Sequence, residues 1–321
     1  MAKALITGAA GYIGSTLTYL LLENGYEVVG VDKLLYGIDP LLGALINKRF
    51  KLLTCDILET EAYKQYVNSD TVIIHLSAIV GEPACKKHSA EAKRTNYDGA
   101  KAVIDLAKSR NVEKLVFATT CSNYGMVPKG EIASEESALN PLGLYAQSKV
   151  DMEKYLIDTV GDELNWTILR FSTVYGIGAR LRFDLTVNEF AGFGYVNREL
   201  EVYLPHSVRP YVHVRDAARA IQTVLELTVE SRNKIYNVGD SSENYEKQQI
   251  VDIVKRYVPD LNVKYVEVGE DLRDYRVGFE KIKRELGYEI FYHVQDGVKE
   301  IISAIQNGGI TDIRRSTYVN A

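Results

Sequence analysis

The sequence predicts an α/β protein built on a doubly wound parallel sheet. Two observations support this prediction. Apolar runs of strand length alternate with stretches of helical period through the first half of the chain, and a glycine-rich turn joins the first run to the first helical stretch. Such alternation makes consecutive strands parallel and covers both faces of the sheet with helices. The apolar runs are KALIT, EVVGV, FKLLT, TVIIHLS, KLVFATT and WTILRFS.

The alternating pattern loosens after residue 175. Loops and aromatic residues follow, and then the strand-like IYNVGD and NVKYVEV and the helical QQIVDIVKRYV and DGVKEIISAIQN. We therefore expect a sheet domain over residues 1–175 and a smaller domain formed mainly by residues 176–321. No linker rich in Pro, Gly or Ser separates the two, so part of the chain is expected to cross back to the first domain.

The composition argues against several classes of protein. Lys and Arg number 38 against 43 Asp and Glu, and the resulting net charge of −5 does not suit a nucleic-acid partner. The 3 cysteines are widely spaced and form no CxxC pair, which favours a reduced, cytoplasmic compartment and no metal site. Neither a secretory signal nor an apolar run of about 18 residues is present, so no membrane partner is expected.

The turn after the first strand carries a phosphate-binding pattern, TGAAGYIG. Gly8 permits the tight turn, Gly11 lets the backbone approach a phosphate, and Gly14 lets helix and strand pack closely. The free amides at the helix start then face a pyrophosphate. Asp32 ends the second strand, where a carboxylate binds both ribose hydroxyls and repels a 2′-phosphate. These residues predict a Rossmann-type domain that binds NAD rather than NADP, although the adjacent Lys33 weakens the preference.

A tyrosine and a lysine in LYAQSKVDMEKYL form the predicted chemical centre. Tyr145 and Lys149 share one face of a helix. A free tyrosine, with a pKa near ~10, is a poor base at neutral pH, and lowering that pKa to about 7 requires roughly 4 kcal/mol. A neighbouring ammonium and a positively charged nicotinamide ring both favour the phenolate. The chain has 22 tyrosines, so the position of this pair after the strand KLVFATT matters more than its spacing.

The end of that strand, TTCSNYG, carries hydroxyl groups at the edge of the sheet where ligands of parallel sheets bind. We expect Thr120 to hold a substrate oxygen beside Tyr145. The alternative is that this hydroxyl only caps the following loop.

Together these motifs resemble the extended short-chain dehydrogenase/reductases that act on nucleotide sugars, the NAD-dependent epimerase/dehydratase group. The resemblance extends to HLSA, TNYDG, LRFSTVYG and RPYVHVRDAARA, with a weaker echo in DLRDYRVGFEKIKREL. It implies that Tyr145 takes the proton from a sugar hydroxyl, commonly on carbon 4, while hydride goes to NAD. Lys149 would hold the cofactor ribose, and Thr120 the reacting oxygen. The two helical stretches NYDGAKAVIDLAKSR and YAQSKVDMEKYLIDTV resemble those through which members form homodimers.

Residue by residue, the motifs and the resemblance assign two sets of ligand contacts. The predicted cofactor-binding residues are Gly8, Gly11, Tyr12, Ile13, Gly14, Asp32, Asp56, Ile57, Leu76, Ser77, Ala78, Asn96, Tyr145 and Lys149. The predicted substrate-binding residues are Thr120, Ser122, Thr173, Asn188, Arg209 and Arg273. The two arginines match family arginines that hold the ribose or diphosphate, and guanidinium groups suit phosphate oxygens.

Three positions depart from the family pattern. Cys121 and Ser122 stand where 4,6-dehydratases resembling TDEVYG carry Asp and Glu, which argues against 4,6-dehydration. Cys121 is expected to be a small packed residue. Thr173 replaces an Asn that contacts the nucleotide sugar in many members. Asn188 either supplies the missing amide or lies on a helix surface.

The expected function is therefore that of an NAD-dependent nucleotide-sugar 4-epimerase. A 4-dehydrogenase or 4-ketoreductase remains an alternative, because the choice depends on whether the keto sugar rotates in the site or leaves. A hydroxysteroid or flavonoid substrate would leave Arg209 and Arg273 without a diphosphate, and a non-catalytic NAD sensor would not need Tyr145, Lys149 and Thr120. The sequence does not specify the nucleotide or the sugar.

Overall fold

The computed structural model describes residues 2–128, 130–269 and 273–320. Within these ranges the strands are β1 (Lys3–Thr7), β2 (Glu27–Asp32), β3 (Phe50–Thr54), β4 (Thr71–His75), β5 (Lys114–Thr120), β6 (Ile132–Ala133), β7 (Trp166–Phe171), β8 (Thr173–Tyr175), β9 (Glu199–Tyr203), β10 (Val208–His213), β11 (Lys234–Val238), β12 (Asn244–Glu246), β13 (Asn262–Val266) and β14 (Arg276–Val277). The α-helices are α1 (Tyr12–Glu23), α2 (Leu42–Leu45), α3 (Thr60–Tyr63), α4 (Glu82–Lys87), α5 (Ser89–Lys93), α6 (Ala100–Ser109), α7 (Leu144–Lys154), α8 (Thr186–Asn197), α9 (Val214–Glu226), α10 (Lys247–Lys255), α11 (Glu280–Leu286) and α12 (Val294–Gln306).

Two of these helices are extended by segments of wider, π-helical pitch. Arg94–Gly99 precedes α6, and Tyr155–Val160 continues α7. Short 3₁₀ turns fill several connections and lie at Asp39–Leu41, Lys64–Tyr66, Cys121–Tyr124, Gly161–Glu163, Ser241–Glu243 and Ser316–Tyr318. Among the described helices, none is long and apolar enough to cross a membrane.

The centre of the fold is a seven-stranded sheet with the order β11-β7-β5-β4-β1-β2-β3. Every neighbouring pair in it is parallel. The strand order reverses between β1 and β4, which is the arrangement of a doubly wound sheet. The predicted fold class is therefore confirmed. The outermost strand, β11, comes from the second half of the chain and pairs with β7.

The two faces of the sheet bury different residues of the same strands. Ile6 faces a cluster that includes Leu17 of α1 and Ile221 of α9. Its neighbour Leu5 faces the opposite cluster, with Ile104 of α6. Successive strand residues point to opposite faces, so both faces need apolar residues when helices cover both. Burial of each such side chain contributes roughly 1.5–3 kcal/mol.

The rest of the chain packs around a third apolar cluster. This cluster joins α8, α10 and α12 through residues such as Phe190, Val254 and Ile301. β9 and β13 form a parallel pair, and β10 lies between β8 and β12. The predicted boundary at residues 175/176 falls between β8 and α8 and stays a prediction, since α9 and β11 return to the main sheet.

Helix α1 begins earlier than its apolar pattern suggests. The pattern starts at Ser15, whereas the structure starts the helix at Tyr12, with Gly11 as N-cap. Gly14 therefore lies in the first turn, where an added Cβ would stand 2.0 Å from the Gly8 carbonyl oxygen. Gly8 itself has φ +76°. Close packing of strand, turn and helix thus requires glycine at both positions.

A buried lysine stands at the first residue of β5. Lys114 is 0% exposed, and its Nζ donates to Ser231 Oγ at 2.8 Å, to the Thr228 carbonyl at 3.0 Å and to Asn165 Oδ1 at 3.3 Å. None of these acceptors is a carboxylate. Burial lowers the pKa of Lys114 to about 7.

We predict that Lys114 makes folding stability rise with pH above neutrality. The unfolded chain keeps this proton up to about pH 10, whereas the folded chain releases it near pH 7, so deprotonation favours the folded state within that window. The unfolding free energy, measured in urea, should rise by about 2 kcal/mol more between pH 7 and pH 9 in the parent than in Lys114→Met.

Lys93, which is exposed, provides the matched control. Lys93→Met should keep the pH dependence of the parent. An identical slope in the parent and in Lys114→Met would contradict the assigned protonation of Lys114.

Candidate active site

The helix that carries the predicted chemical centre is capped by a distant carboxylate. Glu82 of α4 accepts from the backbone N–H of Tyr145 at 3.3 Å and of Ala146 at 3.2 Å. A Cβ added at Gly143 would stand 2.1 Å from a Glu82 carboxylate oxygen and would displace this carboxylate. An anion at a helix N-terminus satisfies free amides and complements the helix dipole. The segment VGEPACKKH, which carries Glu82, therefore positions α7.

Lys149 is buried one turn below Tyr145 but does not contact its hydroxyl. The Lys149 Nζ donates to the Ala118 carbonyl at 3.0 Å and lies 5.5 Å from the centre of the Phe117 ring. The ammonium is thus bound by a carbonyl near the end of β5 rather than by the Tyr145 hydroxyl. Burial lowers the pKa of Lys149 to about 8.

Within the protein alone, the Tyr145 phenol is a weaker acid than free tyrosine. Burial raises its pKa, and the Cys85 thiol adds to the effect. The guanidinium groups of Arg182 and Arg273 act in the opposite direction. A phenolate at this position therefore requires further positive charge beside it.

A buried ion pair fixes α7 against the sheet. Glu153 lies one turn beyond Lys149 and is 1% exposed. Its Oε2 accepts from Arg170 of β7 at 2.6 Å, and its Oε1 accepts from Thr119 at 2.6 Å and from Asn123 at 2.9 Å. The face of α7 that presents Tyr145 is thus tied to the ends of both β5 and β7. Glu153 and Arg170 were missed from the sequence, although Glu153 continues the i, i+4 spacing of Tyr145 and Lys149.

The loop after β5 presents the predicted hydroxyl groups. The Thr120 Oγ1 accepts from the Ser122 N–H at 3.1 Å, so this half-buried threonine does cap the loop while remaining at the strand end. The Ser122 Oγ lies 3.2 Å from the Tyr275 hydroxyl. Cys121 is buried, its Sγ donates to the Arg170 carbonyl at 3.2 Å, and burial raises the pKa of its thiol. Cys121 is thus a packed residue.

The two predicted diphosphate ligands meet at Tyr275. The Arg273 Nη1 donates to Ser122 Oγ at 3.3 Å, and the Arg209 guanidinium lies 5.2 Å from the centre of the Tyr275 ring. Asp271 and Leu272 of the DLRDYR stretch lie outside the described residues. Thr173 is half-buried on β8, paired in register with Tyr211 of β10.

Asp32 anchors the glycine-rich turn. Its Oδ2 accepts from the Ala10 N–H at 2.9 Å and its Oδ1 from the Leu34 N–H at 2.7 Å. Burial raises the pKa of its carboxyl group, which these hydrogen bonds partly counter. Lys33 turns away from Asp32 and pairs with Glu91 at 2.6 Å.

Asp56 is held by the protein on both carboxylate oxygens. The Leu58 N–H donates to Oδ1 at 3.0 Å, and Arg94 and Lys33 contact Oδ2 at 2.7 Å and 3.2 Å. Ile57, which follows, is buried in the core. Contact of Asp56 with an adenine amino group stays a prediction, and its described contacts favour a structural role.

The segment after β4 is braced from two sides. The Leu76 N–H donates to the Thr7 carbonyl at 3.1 Å, and half-buried Ser77 and Ala78 follow. The buried Asn96 accepts from the Ile79 N–H at 2.9 Å, and its amide nitrogen lies 3.1 Å from the Ile79 carbonyl and 3.4 Å from Ser148 Oγ on α7. Asn96 thus joins this segment to α7, and its contact with the cofactor stays a prediction.

Asn188 is neither on the helix surface nor available to a sugar. It is 2% exposed, and its Oδ1 accepts from the Gly176 N–H at 2.8 Å while its Nδ2 donates to the Arg182 carbonyl at 2.7 Å. Tyr12 completes the contact, since its buried hydroxyl donates to the Gly176 carbonyl and lies 3.2 Å from Asn188 Nδ2. Both predicted alternatives for Asn188 need correction, because its amide already holds the loop after β8. Ile13, next to Tyr12, is half-buried at the start of α1.

The loop after β8 also carries an arginine that the sequence pattern did not reveal. Arg182 is buried and forms a two-pronged pair with Asp184, with distances of 3.0 Å and 2.5 Å. It is close enough to Tyr145 to lower the pKa of that phenol. In the sequence, the basic run RLRFD is the feature that could have indicated this arginine. Among the described residues, no three His, Cys, Asp or Glu side chains are placed to hold a metal ion.

Comparison with known proteins identifies the family. The model of the NAD dependent epimerase/dehydratase family matches residues 4–239, which is most of the chain. The chain belongs to this family. It is therefore an enzyme of the extended short-chain dehydrogenase/reductase type, and its cofactor is NAD. The cradle formed by Gly8 and Gly14, with Asp32 beside it, fits that cofactor.

Relatives in the epimerase/dehydratase family match over nearly their whole length. A putative UDP-glucose 4-epimerase of Methanocaldococcus jannaschii is 24% identical over 96% of this chain and 99% of its own. A UDP-glucuronate 4-epimerase of Thermodesulfobacterium geofontis is 26% identical over 94% of this chain and 96% of its own. The crystal structure of Thermus thermophilus UDP-glucose 4-epimerase with NAD is 25% identical, with a TM-score of 0.78, and covers 95% of this chain and 99% of its own.

We predict that Asp32→Ala weakens the binding of NAD more than that of NADP. The carboxylate accepts from ribose hydroxyls in NAD and repels the 2′-phosphate of NADP, so only NAD loses a favourable contact. Calorimetric titration should show the Kd for NAD rising roughly 10- to 100-fold. Equal losses for the two cofactors would show that Asp32 acts only through its bonds to Ala10 and Leu34.

We also predict that Glu153→Gln strongly destabilises the protein. The substitution leaves the buried Arg170 guanidinium without its counter-charge, which costs about 3–5 kcal/mol. Urea denaturation measures the loss. The exposed Asp158 on the same helical run provides the control, and Asp158→Asn should change the unfolding free energy by less than about 0.5 kcal/mol. Equal stability of Glu153→Gln and the parent would refute the anchoring role.

Proposed function

We propose that the protein is a UDP-sugar 4-epimerase in which Tyr145 is the base. The observation that carries the proposal is the placement of Tyr145 and Lys149 on the face of α7 that packs on the end of β5. Lys149 binds the Ala118 carbonyl there, and Thr120 follows Ala118 by two residues. This brings a phenol, an ammonium and a hydroxyl to one strand end. The named relatives, which are epimerases of UDP sugars, support the same substrate class.

In this mechanism Tyr145 accepts the proton of the sugar hydroxyl on carbon 4. Thr120 donates a hydrogen bond to the same oxygen and holds it beside the phenol. NAD, held by the glycine-rich turn and Asp32, would supply the hydride acceptor for carbon 4. Arg182 and Arg273 provide positive charge that partly offsets the effect of burial on the Tyr145 pKa.

The loop after β5 supports epimerisation over 4,6-dehydration. Elimination of water needs a carboxylic acid and a carboxylate base near carbons 5 and 6. The corresponding positions hold Cys121, whose thiol is buried against Arg170, and Ser122, which contacts Tyr275 and Arg273. Cys121 and Ser122 therefore do not form the pair of an acid and a base that elimination requires.

Arg209 and Arg273 favour a diphosphate substrate over a steroid or flavonoid. The Arg209 guanidinium lies over the Tyr275 ring, and Arg273 contacts Ser122, whose Oγ lies 3.2 Å from the Tyr275 hydroxyl. Two arginines around one tyrosine match the charge of a nucleoside diphosphate. A 4-dehydrogenase or 4-ketoreductase would use the same residues, and the sugar that leaves the site distinguishes these activities from epimerisation.

The proposal includes a homodimer in the cytoplasm. The outer faces of α6 and α7 carry paired polar groups, including Lys101 with Asp105 at 2.7 Å and Gln147 with Asp151 at 2.8 Å. Ile157, on the π-helical continuation of α7, is an exposed apolar residue on this side. A dimer formed there would join largely polar surfaces with a small apolar contribution.

We predict that Tyr145→Phe retains NAD and loses turnover. The substitution removes only the hydroxyl, so the packing of α7 and the cofactor cradle are unchanged while the base is lost. The rate of sugar interconversion, followed by NMR, should fall at least about 100-fold. The NAD affinity, measured by calorimetry, should stay within about threefold.

The parent enzyme is screened against UDP-, GDP-, dTDP- and CDP-sugars in the same assay. Inversion at carbon 4 of a UDP sugar supports the epimerase. Net accumulation of a keto sugar with reduced cofactor would instead indicate a dehydrogenase. Comparable rates in Tyr145→Phe and the parent would remove Tyr145 from the mechanism.

A further inference from the structure

A buried arginine outside the proposed chemistry lies in the loop after β8. Arg180 is 5% exposed. Its Nη2 donates to Asn320 Oδ1 at 2.7 Å, and both Nε and Nη2 lie 3.4 Å from the Thr317 carbonyl. The guanidinium stacks on the Tyr36 ring, 3.7 Å from its centre. All its described hydrogen-bond partners are therefore neutral.

Such an environment is unusual for a guanidinium group. A buried charge is costly unless an opposite charge or a strong set of hydrogen bonds compensates for it. Asp32 and Asp184 act on Arg180 electrostatically, but within the described residues neither carboxylate accepts from its guanidinium at ion-pair distance. The Nη1 nitrogen donates to no described group. An anion placed at Nη1 would supply the missing counter-charge.

The surroundings of Arg180 identify where that anion would lie. The Arg180 N–H donates to Ser15 Oγ at 3.3 Å, and Ser15 belongs to the first turn of α1. Two residues earlier, Gly178 packs so closely on this turn that an added Cβ would stand 2.9 Å from Thr16 Oγ1. The first turn of α1 is the part of the protein whose free amides face the cofactor pyrophosphate. Arg180 thus lies beside the phosphate cradle.

The C-terminal segment holds Arg180 in this position. Besides the contacts of Thr317 and Asn320 with the guanidinium, the Phe183 N–H donates to the Tyr318 carbonyl at 2.8 Å. The Asn320 N–H in turn donates to Asp184 Oδ2 at 3.3 Å. Residues 317–320 therefore fasten both the arginine and the backbone of its loop.

We propose that Arg180 is a cofactor-binding residue that contacts the pyrophosphate of NAD, and that residues 317–320 hold its guanidinium in place for this contact. A guanidinium group matches phosphate oxygens in geometry and charge. The contact also links the cofactor to the loop that carries Arg182, since Arg180 and Arg182 lie on the same short segment.

The experiment compares Arg180→Met and Arg180→Lys with the parent in the full-length protein. Kd values for NAD, ADP and adenosine are measured by calorimetry, and the melting temperature is measured with and without NAD. In Arg180→Met the Kd values for NAD and ADP should rise roughly 10- to 100-fold, because a charged hydrogen bond to phosphate is lost. Adenosine lacks phosphate, so its Kd should change less than about threefold. Arg180→Lys keeps the charge and should lose less affinity for NAD and ADP than Arg180→Met.

Two further variants complete the test. Asn320→Ala keeps Arg180 but removes its shortest hydrogen bond, and the Kd for NAD should rise roughly 3- to 10-fold. Arg315→Met removes an exposed arginine of the same segment and should leave NAD binding unchanged. In Arg180→Met the stabilisation by NAD should shrink, while the cofactor-free melting temperature stays equal or rises, since a buried charge has been removed.

Two outcomes would overturn the proposal. An unchanged Kd for NAD together with a lowered cofactor-free melting temperature would make Arg180 a purely structural residue. Equal losses for adenosine and ADP would place the contact on the adenosine rather than on the phosphates. If Arg180→Met does not fold, Arg180→Lys and Asn320→Ala decide by the same comparison of ADP with adenosine.

Discussion

The buried ion pair between Glu153 and Arg170 is the contact on which the arrangement of the site depends. Glu153 accepts from Thr119, Asn123 and Arg170, so its charge is fully compensated inside the protein. These partners come from β5, from the loop that follows it and from β7. Since Glu153 shares a helix face with Lys149 and Tyr145, the pair sets the rotation of α7 about its axis. Glu82 caps the first turn of the same helix from α4 and restricts its other end. The face of α7 that carries Tyr145 and Lys149 is therefore held at both ends by carboxylates.

The protonation of Tyr145 and Lys149 depends on bound ligands as well as on the protein. Burial raises the pKa of Tyr145 and lowers the pKa of Lys149 to about 8, so both shifts move towards the neutral form while Lys149 still carries its proton at pH 7. Both shifts arise from loss of contact with water, and both are reduced when opposite or complementary charges enter the same space. In the proposed mechanism a positively charged nicotinamide ring would stabilise the phenolate. Arg182 and Arg273 act on the Tyr145 pKa in the same direction.

Much of the fold was predictable because its signals are local. Each of the six apolar runs is long enough for a buried strand, and Gly8, Gly11 and Gly14 mark one turn whose geometry only glycine permits. The positions of Tyr145 and Lys149 followed from their helix and its place after β5. Contacts between distant parts of the chain were not predictable in this way. The cap by Glu82, the partner of Glu153 and the direction of the Lys149 ammonium all depend on which elements pack together. Amides were the hardest case, because Asn96 and Asn188 suit a ligand and a backbone equally well, and only burial shows that they bind the backbone.

The return of β11 to the main sheet has a consequence for how the protein is made. β11 covers the edge of β7, and α9, which precedes it, packs against α1 on one face of the sheet. A ribosome that has released only the first 175 residues has therefore produced a sheet with an uncovered strand and an exposed apolar face. The polypeptide completes this nucleus only when residue 238 has emerged, which is one residue before the family match ends at residue 239. Completion of the sheet therefore has to wait until the second half of the chain is synthesised. A nascent chain that ends before residue 238 depends on protection from aggregation.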